Sequence, residues 1–176
     1  MELVSRILDG SISYSPRGEP RGRSFFGGRI SQDDKIDRLE DVGLLAGCSR
    51  RQLRAIARIS EVIEVPAATV LARSGASGEE FFLILDGSAR VEVSPDKRVT
   101  LQPGAFFGEM SLLDGGPRSA TVVADTPLRL LVIGRKHFAE LLDDVPGLTL
   151  TLLTTLSRRV RQAEAQAERA RAAAGL

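Results

Sequence analysis

The hydrophobic period of this chain changes twice. Between Ser31 and Ile59, apolar positions recur at helical spacing, first Ile36, Leu39, Val42 and Leu45, then Leu53, Ile56 and Ala57. The acidic stretch that follows Ser31 suits a helix N-terminus, Gly47 breaks the segment, and Ser49 with Gln52 has capping-box form for a second helix. From Glu61 the pattern becomes short β-like runs. Phe81–Leu85 reads as a buried strand, and residues 88–93 alternate, with Ala89, Val91 and Val93 inward and Arg90 and Glu92 outward. Runs at 62–65, 70–71, 99–101, 121–124 and 128–133 extend the set. Turn signals near Pro66, Gly75–Gly78, Gly87, Pro95, Pro103, Gly115–Pro117 and Pro127 give the rhythm of a β-sandwich, jelly roll or barrel. After Ile133 the helical period returns. Phe138, Leu141 and Leu142 form a short stripe that stops near Pro146 and Gly147, and a long segment then runs to about Ala174. In it Leu156, Val160, Ala163, Ala167, Ala170 and Ala174 step as a heptad seam.

This divides the chain into an extension over residues 1–32, a central β unit with its helices over 33–145, and a C-terminal helix over 146–176. The extension carries Gly, Pro, Ser and Arg without periodicity and is expected to be flexible, with Phe25 and Phe26 as candidate docking anchors among arginines.

Composition narrows the chemistry. The 176 residues hold one cysteine, Cys48, and one histidine, His137, with a formal net charge of +1. An internal disulfide, a Cys-rich zinc site and a multi-His metal site are excluded. A metal-dependent jelly-roll enzyme would need a histidine cluster inside the barrel, and His137 falls on an expected helix outside it. No nucleophile–base pair stands out, so the chain is expected not to be an enzyme and to need no metal. No apolar run reaches the length of a membrane span and no signal-peptide core is present, so a cytoplasmic location is expected. The near-zero charge gives no electrostatic drive toward nucleic acid or anionic membrane.

One stretch carries chemistry. Between Pro103 and Val122 the chain reads as strand, Gly108, a short helical turn from Glu109, a glycine-rich loop, Arg118 and strand. Gly108 permits close approach to the backbone, the following turn presents amides, and Arg118 offers a planar fork for phosphate oxygens. Glu109 suits a sugar hydroxyl better than a phosphate. Phosphate plus ribose in one pocket means a nucleotide.

Phe107 to Leu113, Pro117 to Val122, and glycines 75, 78, 87, 104, 108 and 115 in register resemble the cyclic nucleotide-binding domain. This is the domain of catabolite activator proteins and of the regulatory subunits of cAMP-dependent kinase, and the resemblance covers about Leu44 to Ala170. It implies an α+β fold: an eight-stranded, jelly-roll-like β-roll flanked by N-terminal helices and a long C-terminal helix. It implies that Glu109 holds the ribose 2′-hydroxyl and that Arg118 and Ser119 hold the cyclic phosphate. The amides of Met110, Ser111 and Ala120 complete the phosphate-binding cassette, with Phe107 and Gly108 beside it. The ligand is expected to be cAMP, with cGMP as the alternative; Ser119 stands where cGMP-selective relatives often carry threonine, and a serine there can serve either base. The chain departs from the family at the base. Ala163 and Glu164 stand where a Thr-Ser pair reads adenine, leaving Arg159, Gln162 and Glu164 as neighbouring candidates. No helix-turn-helix follows the long helix before Leu176, so direct DNA binding is not expected. The reading is of a stand-alone cyclic nucleotide sensor that forms a homodimer through its C-terminal helix. That helix would close over the cassette near Val160 and Ala163 and signal to a protein partner of unknown identity. The alternative is a structural or dimerisation module that has lost its ligand.

Overall fold

A computed structural model describes residues 26–27, 30–94 and 97–174. Helix α1 (Gln32–Glu40) starts at Ser31, whose hydroxyl accepts from the Asp34 amide while the Asp34 carboxylate accepts from the Ser31 amide. Sequence pattern alone marked this end as acidic. The structure makes it a reciprocal cap, like the one expected and found at Ser49 and Gln52 for α2 (Arg50–Ile59). A 3₁₀ turn (Gly43–Leu45) joins the two helices. Lys35 reaches across to donate to the carbonyls of Ala57 (2.8 Å) and Ser60 (3.0 Å), closing the C-terminal end of α2.

Eight strands follow among the described residues: β1 (Glu61–Val65), β2 (Val70–Ala72), β3 (Glu80–Asp86), β4 (Ala89–Ser94), β5 (Lys97–Leu101), β6 (Phe106–Phe107), β7 (Thr121–Ala124) and β8 (Leu128–Gly134). They form two four-stranded antiparallel sheets, ordered β1-β8-β3-β6 and β2-β7-β4-β5. The short helix α3 (Glu109–Asp114) lies between β6 and β7. Helices α4 (Arg135–Asp144) and α5 (Pro146–Ala173) complete the chain. Pro146, read from the sequence as a stop signal, also starts α5, where its missing N–H costs nothing.

Two cores explain why β3 and β8 are continuous apolar runs. Period two sends Phe81, Leu83 and Leu85 of β3, with Leu131 and Ile133 of β8, toward the helices. There they meet Leu39, Leu53, Ile56, Phe138, Leu141 and Leu148. The alternate residues Phe82, Ile84, Leu128, Leu130 and Val132, with Phe107 of β6, face the second sheet, against Leu71, Ala89, Val122 and Ala124. A strand buried on both faces has no polar positions to alternate with. On interior strand β8 of the first sheet, buried Arg129 pairs with Glu64 of β1 (2.8 Å) and Asp86 of β3 (3.4 Å), and Arg38 of α1 also reaches Asp86 (2.6 Å). The Phe26 ring lies 4.8 Å from the Arg129 guanidinium carbon, so one of the two candidate anchors packs on the roll. Phe25 and residues 1–24 lie outside the described residues.

Leu131 is 1% exposed and joins the helices to the first sheet. Leu131→Ala is expected to cost about 2–5 kcal/mol. Urea unfolding measures this, and an unchanged midpoint would contradict the packing described.

Candidate functional site

Between the second sheet, α3 and α5 lies a cavity of about 400 Å³. All eight residues expected from the sequence line it: Phe107, Gly108, Glu109, Met110, Ser111, Arg118, Ser119 and Ala120. One end is polar. Its floor is Arg118, only 5% exposed, whose guanidinium donates to the Gly108 carbonyl (3.0 Å) and to the Glu80 carboxylate (3.3 Å). Burial lowers the Arg118 pKa from its ordinary value, and Arg135 adds to that. The negative charges of Glu80, Glu109 and Glu79 oppose it. Its backbone is fixed as tightly as its side chain: the Arg118 amide donates to the Ala76 carbonyl (2.7 Å), and the Gly75 amide donates to the Arg118 carbonyl (2.8 Å).

Two glycines make room for this cation. Gly108 has φ +90°, and a Cβ there would sit 2.5 Å from the Glu80 carbonyl and 2.6 Å from an Arg118 terminal nitrogen. Gly78 has an ordinary φ, but a Cβ on it would overlap Arg118 Nε outright. The sequence marked Gly78 as one of several turn signals, and the structure gives it the separate task of clearing space for a guanidinium.

Glu109, the first residue of α3, is 1% exposed, and its carboxylate accepts from Arg159 of α5. Arg159 also donates to the Phe106 carbonyl (3.4 Å) and lies over the Phe106 ring at 5.1 Å. The sequence placed Arg159 among residues near a base, and the structure sets it on the carboxylate expected to face the sugar. Gln162, Ala163 and Gln166 follow it into the cavity wall. The spacing 159, 162, 163, 166 is one helix face, a signal that could have found Gln166, which sequence reasoning missed. Glu164 does not line this cavity. Val160, expected to close it, is 55% exposed and does not line the cavity; it lies in a separate outer groove with Leu153, Leu156 and Glu164. The lining also includes an apolar set, Val91, Val99 and Leu101 of the β4–β5 hairpin.

Arg135 was also not anticipated. It pairs with Glu79 (2.6 Å) and donates to the carbonyls of Gly78 (3.2 Å), Ser111 (3.2 Å) and Leu112 (3.5 Å). It thereby ties the Gly78 loop and α3 to the start of α4. Nothing in the local period marks it, because every one of these partners is distant in sequence.

A buried guanidinium, a buried carboxylate and an apolar wall around one hollow define a class of small-molecule binding domain built on a β-roll. The family model of the cyclic nucleotide-binding domain matches residues 62–145. A cyclic nucleotide-gated potassium channel of Mesorhizobium japonicum is 40% identical over 111 residues, 62% of this chain and 31% of the channel. A cyclic nucleotide-binding-like protein of Brucella abortus is similar in structure, with 32% identity, a TM-score of 0.51 and coverage of 63% of this chain and 99% of that one. The catabolite activator protein of Thermus thermophilus has a TM-score of 0.65 at 28% identity, covering 71% of this chain and 61% of that one. This chain belongs to the cyclic nucleotide-binding domain family. It spans less than a third of the length of the first curated relatives it matches, which are channels and a kinase regulatory subunit.

Gly78→Ala is expected to push Arg118 off the Gly108 carbonyl while leaving both cores intact. Its thermal midpoint should stay within a few degrees of the parent, and its affinity for a cyclic nucleotide should fall at least tenfold. Parallel thermal melts and titration calorimetry check both. Unchanged affinity would mean that the Arg118 position is not set by this glycine.

Proposed function

We propose that the chain is a regulatory sensor that binds cAMP reversibly in this cavity, breaks no bond and passes the binding event through α5 to a protein partner. The observation that carries the reading is the buried Arg118 fork on the cavity floor, facing a hollow that also holds buried Glu109. The guanidinium carries five N–H donors, of which the Gly108 carbonyl and the Glu80 carboxylate each take one, and a cyclic phosphate supplies two oxygens in a geometry that matches the fork. Ser119 and the amides of Met110, Ser111 and Ala120 surround the same anion, with Phe107 and Gly108 behind. Glu109 accepts the ribose 2′-hydroxyl. A nucleotide entering here meets the Arg159–Glu109 pair, so ligand and α5 compete or cooperate at one carboxylate. That gives the ligand different affinities for different α5 positions, which is what a switch requires.

In this reading residues 33–145 are the binding unit, residues 146–176 the lid, and residues 1–32 an extension available for docking. No described helix is long and apolar enough to cross a membrane, and the reading is of a cytoplasmic protein. The outer face of α5 supports a homodimer: Leu153 and Val160 are exposed along it, in a groove separate from the cavity. Pairing two copies there leaves Arg159 and Gln162 free to face the ligand.

Titration calorimetry with cAMP tests the binding. The parent should bind, and Arg118→Ala should bind roughly a hundredfold more weakly, a loss of about 3 kcal/mol for charge-assisted bonds to a partly buried phosphate. No heat and no thermal shift with either cAMP or cGMP would leave a structural or dimerisation module instead. Light scattering tests assembly separately: the parent should run as a dimer and Val160→Glu as a monomer. A parent that stays monomeric with and without nucleotide would remove the dimer.

A further inference from the structure

We infer that Glu80 selects the charge of the ligand: by neutralising Arg118 from behind the cavity floor, it admits singly charged phosphodiesters and turns away the doubly charged phosphate monoesters of the same nucleosides. The assignment rests on the proposed nucleotide occupancy.

Three observations carry it. First, Glu80 begins β3, is 3% exposed and does not line the cavity. Its carboxylate accepts from the Arg118 guanidinium (3.3 Å) and from the Glu79 amide (3.2 Å). It therefore acts on a ligand only through Arg118, as a positioning residue. Second, the cations around the floor are matched before any ligand arrives. Among the described residues, three ionisable side chains line the cavity: Arg118, Arg159 and Glu109. Arg159 lies on Glu109, Arg118 on Glu80, and Arg135 behind them on Glu79. The charges that act on Arg118 are the same set, with Glu80 foremost, then Glu109 and Glu79, and Arg135 opposed. Third, the fork keeps donors although its charge is met. Of its five N–H groups, the Gly108 carbonyl and the Glu80 carboxylate each take one. Such a floor can hold phosphate oxygens by geometry without offering a net positive charge.

The ligand chemistry makes that distinction matter. A phosphodiester carries one negative charge and has no second proton to lose. A phosphate monoester loses its second proton with a pKa of about 6 and carries close to two charges above it. On a buried, neutral floor the second charge is desolvated with no cation to meet it. Adding water across one P–O bond of a cyclic phosphate frees a ribose hydroxyl and leaves a monoester. The floor that holds the intact ring thus rejects the opened one.

The experiment is titration calorimetry on the full chain with cAMP at pH 8 and pH 5. Displacement of cAMP measures 5′-AMP, and thermal melts at both pH values check folding. For the parent, 5′-AMP should bind at least about tenfold tighter at pH 5, where it is mostly singly charged, while cAMP shifts by less than about threefold. Glu80→Gln keeps the side-chain length and an acceptor for Arg118 but removes the charge. At pH 8 it should tighten 5′-AMP by about the square of the factor by which it tightens cAMP, because the added field acts on twice the charge. An equal change in both ligands, or none, would make Glu80 a structural prop and overturn the inference. So would a parent affinity for 5′-AMP that is the same at both pH values, or absent at both, since ring shape would then be the discriminator. The pH comparison uses the parent alone and decides even where the variant does not fold. If the parent binds cAMP at neither pH, the nucleotide reading itself fails, a result distinct from binding without selection by charge.

Discussion

A guanidinium that is almost wholly buried must be surrounded by acceptors, and much of this structure is organised around meeting that demand for Arg118. Desolvating the charge is unfavourable, and the fork recovers part of the loss from the Gly108 carbonyl and the Glu80 carboxylate. Both partners depend on other features. Gly108 needs its left-handed backbone, Glu80 needs β3 in register with β8, and Gly78 needs to have no side chain at all. The backbone bonds between Arg118 and residues 75 and 76 then lock the loop before β7 to the loop before β3. Arg135 fastens that second loop to α3 and to the first turn of α4. A chain of polar contacts therefore runs from the cavity floor to the helix that precedes α5.

The second long-range device is the pair formed by Arg159 and Glu109. It joins α5 to α3 across fifty residues of sequence and gives α5 a polar inner face and an apolar outer one. The inner face carries Arg159, Gln162, Ala163 and Gln166. The outer face carries Leu153, Leu156 and Val160. These two faces are separate surfaces on one rod, so an event at the cavity and an event at the outer groove act on the same body. Near its start α5 is anchored by Leu148 and Leu152, which are buried against the helical core. The rest of it touches the roll mainly through the cavity stripe.

At the other end of the molecule a similar logic holds the N-terminal helices. Arg129 and Asp86 connect β8 and β3 to Arg38 of α1, and Phe26 lies on Arg129. Arginine serves here because its planar fork can meet two carboxylates while its face accepts a ring.

The sequence by itself determined the order of helices and strands and the cap at Ser49 and Gln52, and it singled out the run from Phe107 to Ala120, with Arg118 and Glu109, that the structure brings to one cavity. These are local properties, carried by period, turn chemistry and residue type within a few positions. Tertiary structure alone decided what each charge meets. Glu80 under Arg118, Arg135 across the Gly78 and α3 carbonyls, and Arg159 on Glu109 are contacts between residues 23 to 57 positions apart. It also decided the facing of α5. The heptad seam placed Val160 and Ala163 together, because they are neighbours on the helix surface. The roll split them, one into the outer groove and one into the cavity. A helical period defines a stripe relative to its own axis, and the rotation of that axis against the rest of the protein is set only by what the helix packs on.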